Sequence, residues 1–492
     1  MTGNDMPARG DRRVALIFLL AITAYFAAQA VLRLGLGGAL ETDEAEMMVM
    51  TPGLRWGYGP QLPLYNWLQL GAFEVFGRSL LALSLLKNGL LWLSYLCVFL
   101  GLRLWLPAGV AALGALSLFL VPDIAWEAQR ATTHSNMLFA TSAATLAAFL
   151  WAVRGGAWAA WIALGLAVGL GGLAKYNFWL VPVALLLAGL TIAPMRRRLL
   201  SARALVAPLL ALAIVAGPYA WMIGNRDLAF ASVGKLDLGT AAGPAAGASA
   251  EGLARSAEAG LALVALPLLV WALLWLVGRA RGPRDLPAPG GAALLLRGAL
   301  LLVLAVAAGV WLSGMGQMTQ RWLLPIAFLL VPGLFVWLAP RLGARAGRGI
   351  VIGVALLAVL VMAGLTYDRY KPGARRDVDF ATLPAALQAV APMPDTPVVA
   401  EFYTAGNIAR LRPDWRIAPY LPFAARAFGG GPVLFVLREE VPPNLGAGIA
   451  QAGWGNAAPL AVLAEGALEL PHGHSDARLA LRYVLAEMPA VE

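Results

Sequence analysis

Asp43-Glu44-Ala45-Glu46, followed by Gly57-Tyr58-Gly59-Pro60-Gln61-Leu62-Pro63-Leu64-Tyr65, is the stretch on which the reading of this chain turns. It begins a few residues beyond an apolar run from Val14 to Leu34, about 20 residues and long enough to cross a bilayer core. Carboxylates therefore stand directly beside a membrane, where ionised groups are costly and are retained for a use. The glycines, prolines and aromatics that follow read as a rigid loop at the interface. Together these features point to a membrane-embedded enzyme. For the acidic cluster, a solvated loop is the bland alternative, and the aromatic, proline-bearing neighbourhood weighs against it.

Composition agrees. Of 492 residues 60% are hydrophobic and only 13% charged, and the mean hydropathy is +0.73. So few charges cannot clothe a soluble protein of this size, so lipid must be the solvent for much of the chain. The net charge of +10 does not point to nucleic acid, because the basic residues fall mostly in short gaps between apolar runs. The single cysteine, Cys97, lies in an apolar run and excludes an internal disulfide. Arg9, Arg12 and Arg13 precede the first run and Ala28-Gln29-Ala30 resembles a signal-peptidase site, but the run is longer than a signal core and reads as an uncleaved helix.

Eleven membrane spans are expected, near 14–34, 80–102, 107–122, 136–153, 157–174, 177–194, 204–223, 259–278, 294–312, 322–339 and 350–366. With the N-terminus in the cytoplasm, every cytoplasmic gap holds arginine: Arg103; Arg154; Arg196, Arg197, Arg198 and Arg203; Arg279, Arg281 and Arg284; and Arg341, Arg345 and Arg348. This is the positive-inside pattern of a multi-pass bacterial inner-membrane protein. It places the acidic loop, the 123–135 loop, Lys175-Tyr176, the 224–258 loop, the Gln317–Arg321 turn and the C-terminus outside, in the periplasm. Segment 61–76 reads as an amphipathic interfacial helix, and the gap at 224–258, rich in glycine and alanine over Gly239–Gly247, as a flexible flap or a poorly ordered loop.

Residues 1–366 form the membrane domain. Residues 367–492 have soluble composition and read as a small α/β domain on the outer face. Its strands are expected at Pro397–Tyr403, Pro432–Leu437, Ala461–Leu470 and Leu479–Leu485, with helices at 380–391 and Ala405–Leu411.

Several polar groups fall in the outer loops. If its segment is helical, Asp43 shares a face with Glu46 at i, i+3, while Glu44 points elsewhere. A carboxylate at a half-dry interface suits a general base. Asp123, Glu127 and Arg130 lie at helical spacing, as an ion-paired turn would. His134 fits a proton carrier, a donor to substrate or a helix-start residue equally. Lys175 and Arg321 either snorkel or hold an anionic head group. Cations near a carboxylate suit a phosphate-bearing substrate. His472 and His474 lie in the outer domain, and no metal-ligand spacing recurs. No P-loop, dinucleotide fingerprint, Ser-His-Asp order or zinc signature is present.

At these residues the chain resembles the polytopic GT-C glycosyltransferases of family 39 and their bacterial relatives: protein mannosyltransferases, lipid A aminoarabinose transferases and rhizobial-type galacturonosyltransferases. The resemblance lies in Asp43-Glu44-Ala45 with Gly57-Tyr58 and Gln61–Trp67, in Gly165–Asn177, and in Arg321-Trp322-Leu323-Leu324-Pro325. It covers most of 14–366, and its first motif is the most specific. It implies a GT-C fold, a polyprenyl-phosphate-linked sugar donor drawn from the membrane lipids, and inverting transfer on the periplasmic side to lipid A, a lipopolysaccharide core or another glycan. Asp43 is then the base or acceptor-orienting carboxylate, with Glu44 supporting it. Lys175 and Arg321 bind the lipid phosphate, and Arg130, His134, Tyr176, Tyr58 and Tyr65 complete the substrate-binding set. Leu62-Pro63 stands where many relatives carry Pro-Pro, and Arg130–Asn136 is not shared by every branch, so the acceptor can differ. Metal use stays open, a divalent cation being the one cofactor to consider. Transfer to Ser or Thr of an exported protein is an alternative, as is a transporter or flippase of lipid-linked sugars. The clustering of charge at one face, rather than at mid-bilayer depth, ranks the last lower.

Overall fold

A computed structural model describes residues 9–229, 246–279, 290–315, 319–421, 430–438 and 460–488, together with 424, 428 and 449. The longer helices are α1 (Arg9–Leu36), α2 (Thr42–Met50), α3 (Leu64–Phe76), α4 (Leu80–Arg103), α5 (Ala108–Ser117), α6 (His134–Gly155), α7 (Trp158–Gly172), α8 (Leu180–Leu190), α9 (Val206–Gly224), α10 (Ala246–Arg279), α11 (Gly290–Ser313), α12 (Leu324–Leu338) and α13 (Ala344–Tyr370). Eight helices are long and apolar enough to cross a membrane, or up to ten if each of two bent pairs is one span. The eleven expected spans thus resolve into eight unbroken helices, two bent pairs and α7, which has only 15 residues.

The breaks have local causes. After α5 the chain turns by 83° into a π-helical turn at Asp123–Glu127. Pro122 begins that turn; it lacks the N–H that would continue the preceding ladder. The second break, of 116°, precedes Ala193-Pro194. Both bends put polar residues at bundle ends, where an uninterrupted apolar helix would have none.

The bundle core gathers Phe18, Tyr95, Phe99, Phe139, Phe149, Trp161 and Phe328 with small residues of α5 and α7. Close approach of α7 to α9 needs glycine: a Cβ at Gly165 would lie 2.9 Å from the Ala207 carbonyl, and one at Gly169 would lie 2.7 Å from Ile214 Cδ1. Small-residue faces of this kind let helices meet where lipid offers no hydrophobic drive. At one end of the bundle the arginine-bearing gaps come together. Arg103 pairs with Asp11 at 2.7 Å, and Arg203 donates to the Gly156 carbonyl at 3.4 Å while stacking over Trp158. The acidic loop is at the opposite end.

Beyond α13 the chain forms α14 (Leu383–Gln388), α15 (Phe402–Leu411) and a five-stranded sheet of β1 (Val398–Ala400), β2 (Ile417–Pro419), β3 (Gly431–Arg438), β4 (Ala461–Pro471) and β5 (Arg478–Met488). The strand order is β2-β1-β3-β5-β4, with β1 parallel to β2 and β3, and β5 antiparallel to β3 and β4. Alternation along β3 sends Leu434 and Val436 to the face shared with Leu383, Leu387 and Ile408, and Val433, Phe435 and Leu437 to the other. The expected strand 397–403 ends early, because Phe402 already opens α15. Strand β2 was not expected: three residues ending in proline carry little alternation to read. Of the expected flap at 224–258, residues 230–245 lie outside the described residues, whereas 246–258 are the first turns of α10, which begins well before the expected span at 259.

Helix α15 lies directly on α2. Asn407 accepts from Leu40 N–H at 2.8 Å and donates to the Leu40 carbonyl at 3.3 Å. A Cβ at Gly406 would sit 2.2 Å from the Ala45 carbonyl oxygen, so only glycine permits this contact. Gly406→Ala is therefore expected to destabilise the protein by about 1–3 kcal/mol through overpacking, even though alanine is the better helix former by about 1 kcal/mol. Thermal unfolding of the purified protein checks this, and a raised midpoint would show that α15 does not rest on α2.

Candidate active site

Helix α2 presents Asp43 and Glu44, two of its three acidic residues, in opposite directions. Glu44 turns inward and is 1% exposed. Arg33 of α1 grips it with Nη2 at 2.7 Å and Nε at 3.2 Å, Lys87 of α4 donates at 2.9 Å, and the Glu41 backbone N–H adds a bond at 3.1 Å. Arg376, from the segment leading into the sheet, stands 4.0 Å away and also 3.7 Å from Glu41. Burial pushes the Glu44 carboxyl up, but Arg33, Lys87 and Arg376 outweigh it and hold the group well below the usual carboxylate range. A carboxylate so enclosed cannot meet substrate. It fixes α2 to two spans and to the segment that leads into the sheet.

Asp43 turns the other way, with its side chain 30% exposed, toward Arg321 Nη1 at 3.8 Å. Arg321 also lies 3.5 Å from Glu127, and Glu127 takes Arg130 in a two-pronged pair at 3.1 Å on each oxygen. The expected ion-paired turn is thus present, and it faces Asp43 across a polar cleft. Crowding by protein raises the Asp43 carboxyl, with Arg321 and Lys175 partly opposing. Burial, then Arg321, pushes the Lys175 ammonium down to about 8, against the pull of Asp43 and Asp123. Lys175 donates to Ser135 Oγ at 2.9 Å. Asn177 donates to the Trp322 carbonyl at 3.2 Å, tying the Lys175 turn to the Arg321 turn. One cleft therefore holds a raised, accessible carboxylate opposite two cations on a braced frame. That arrangement can take a proton from a hydroxyl and hold an anion that departs.

The model for dolichyl-phosphate-mannose-protein mannosyltransferase matches residues 59–221. Lipopolysaccharide core galacturonosyltransferase RgtA of Rhizobium johnstonii is 34% identical over 448 residues, 86% of each chain. RgtB of the same organism is 32% identical over 360 residues, 73% of this chain and 72% of that one. The chain belongs to their family, the GT-C glycosyltransferases. Its fold is similar to that of ArnT from Cupriavidus metallidurans bound to undecaprenyl phosphate, with a TM-score of 0.56 at 16% identity over 95% of this chain and 97% of that one. The apo form of ArnT gives 0.55 at 16% identity, covering 96% and 98%.

In this glycosyltransferase, Arg321 links Asp43 to the Glu127–Arg130 pair and Lys175 is held by Ser135, while other expected ligands frame the cleft from behind. Asn66 donates its amide to the Met50 carbonyl and Thr51 Oγ1, at 3.0 and 3.2 Å, so its Oδ1 accepts from His134 Nε2 at 3.1 Å. Nδ1 is then the unprotonated nitrogen and accepts from the Thr133 hydroxyl at 3.3 Å. With both nitrogens engaged, His134 joins α3 to α6, which is the helix-start reading rather than a direct substrate contact. Tyr65 is 1% exposed and packs 5.2 Å from the His134 ring. The Tyr58 hydroxyl donates to Gly53 and accepts from Arg55 N–H, closing its own loop. Tyr176 donates to Ala229 at 3.0 Å and leaves its ring at the rim, 41% exposed. Glu46 accepts from Gln61 at 3.3 Å. Among the described residues no three His, Cys, Asp or Glu side chains are grouped to hold a metal ion.

Sequence reasoning missed Arg33, Lys87 and Arg376. Arg33 and Lys87 carried a signal, since each is an ionisable residue inside an apolar span. Arg376 carried none, lying hundreds of positions from Glu44. Lys87→Met removes one partner of the enclosed carboxylate and is expected to cost about 3–5 kcal/mol. Glu44→Gln should cost less in the Lys87→Met background than in the wild type, because the Lys87–Glu44 pair is then already broken, although Arg33 still loses its carboxylate. Thermal unfolding of the two single variants and the double variant checks the point. Losses that simply add in the double variant would show that Glu44 is not the group Lys87 serves.

Proposed function

We propose that this glycosyltransferase moves a uronic acid, of the galacturonosyl type named for its relatives, from a polyprenyl-phosphate donor to a glycan of the cell envelope. The observation that carries the reading is the cleft in which Asp43 stands opposite Arg321 and Lys175. A lipid phosphate leaves readily, so the protein's task is to deprotonate an acceptor hydroxyl and stabilise the departing anion. Asp43 takes the acceptor proton as the hydroxyl attacks the anomeric carbon. The sugar–phosphate bond breaks on the opposite side, with inversion. Lys175 and Arg321 then hold the lipid phosphate. Glu44 acts only through α2, by aiming Asp43.

The reaction belongs at the outer face of the inner membrane. The arginine-bearing end of the bundle, where Arg103 and Arg203 are held, fits the cytoplasmic side, which leaves α2 and the sheet outside. Residues 1–366 form the catalytic bundle, and 367–492 form the outer domain that braces it. The donor's lipid enters sideways from the bilayer.

The test is uronosyl transfer from a defined polyprenyl-phosphate galacturonic acid to deacylated and intact lipopolysaccharide core, followed by mass spectrometry. Asp43→Asn should lower kcat by about 10²- to 10⁴-fold, as loss of a general base does; undiminished turnover would remove Asp43 from the chemistry. Run across pH, kcat/KM for the donor should decline as pH rises through about 8, where Lys175 loses its proton. Lys175→Arg should flatten that limb, since arginine stays charged. A decline that persists in the arginine variant would assign the limb to another group.

A further inference from the structure

Besides Lys175 and Arg321, a third cation, Arg130, belongs to the same charged network. Lys175 and Arg321 stand nearest Asp43, where the bond breaks. Arg130 is one step removed: it reaches that pair only through Glu127, which bridges Arg130 at 3.1 Å and Arg321 at 3.5 Å. Arg130 is not loosely placed. Buried Arg376 donates to its backbone carbonyl, fixing the turn from the side of the outer domain. Its side chain remains 31% exposed. What it presents is a planar fork already closed on a carboxylate, the geometry that a second carboxylate can take over.

We infer that Arg130 is the specificity-determining residue that receives the carboxylate of a uronosyl donor, taking it in exchange for Glu127. The inference rests on the uronosyl reading above and adds which side chain recognises the acid. In a hexuronate the carboxylate sits on the ring carbon joined through the ring oxygen to the anomeric carbon. A cation one side chain beyond the phosphate-binding pair is therefore placed for it. When Arg130 turns to the sugar, Glu127 keeps Arg321 as a partner, so no carboxylate is orphaned. A neutral hexose brings a hydroxymethyl group to the same place. It cannot replace Glu127 on the fork, so the ion pair stays closed against it. Selection thus comes from a pre-formed pair that only an anionic sugar can exchange, which is discrimination by an unmet charge rather than by shape.

The full-length protein in lipid nanodiscs is assayed with two polyprenyl-phosphate donors, galacturonosyl and galactosyl, and one lipopolysaccharide-core acceptor. The readout is the ratio of kcat/KM for the two. The wild type should favour the uronosyl donor. Arg130→Gln should cut the ratio by about 10- to 100-fold, the range of one lost charge-assisted hydrogen-bonded pair. Arg130→Lys, which keeps the charge without the fork, should fall between, and it decides the matter should the glutamine variant fail to fold. An unchanged ratio in the variants, with both donors slowed together, would make Arg130 a structural or phosphate-binding residue and overturn the inference while leaving uronosyl transfer intact. Equal use of both donors by the wild type would overturn it as well. Use of neither donor by the wild type would bring down the uronosyl reading, and this inference with it.

Discussion

Glu44, a carboxylate buried at the membrane's edge, is bound by Arg33 and Lys87 at hydrogen-bonding distance, with Arg376 just beyond. The four residues come from α2, α1, α4 and the segment leading into the sheet, so the sheet-bearing end of the molecule is organised around this one cluster. It adds little net stability over an apolar core, because desolvation of the charges offsets most of their attraction. Its value is geometric. An ion cluster that is satisfied in one arrangement and costly in any other allows α2 a single rotation about its axis. That rotation turns Asp43, one residue earlier, toward the cleft.

The same constraint explains how the sheet domain is joined to the helical bundle. Arg376 reaches Glu41 and Glu44 on one side and the Arg130 carbonyl on the other. Asn407 and Gly406 seat α15 on the residues around α2. The sheet domain braces the two segments, around 43 and 127–130, that carry Asp43 and the Glu127–Arg130 pair. In the helical bundle alone, both would be short elements joining spans, the parts that open most easily.

Much of this was legible in the sequence, for physical reasons that can be named. Apolar runs are forced on any chain whose backbone must be satisfied within lipid, so spans at 80–102 and 136–153 reappear as α4 and α6. Asp43 stood out because a carboxylate at an interface is conspicuous, and Glu127 with Arg130 because helical spacing pairs them. The division of labour between Asp43 and Glu44 was not legible. Adjacent residues of one type differ in role only through what lies behind each, and Arg376 comes from hundreds of positions away. His134 was ambiguous for the same reason: its role is set by Asn66, 68 positions earlier, whose amide fixes which ring nitrogen carries the proton. The count of spans was obscured where Pro122 and Pro194 accompany breaks, since hydropathy is blind to a bend.

The proposed chemistry is a single displacement at the anomeric carbon, with Asp43 accepting the acceptor's proton and a lipid phosphate departing opposite. Its sharpest check is the anomeric configuration of the new linkage, read by NMR from the one-bond C–H coupling of the transferred sugar and compared with that of the donor. Inversion is expected in every product molecule. Retention of the donor's configuration would mean a covalent or front-face route, and would contradict the role of Asp43 as the base of a one-step displacement.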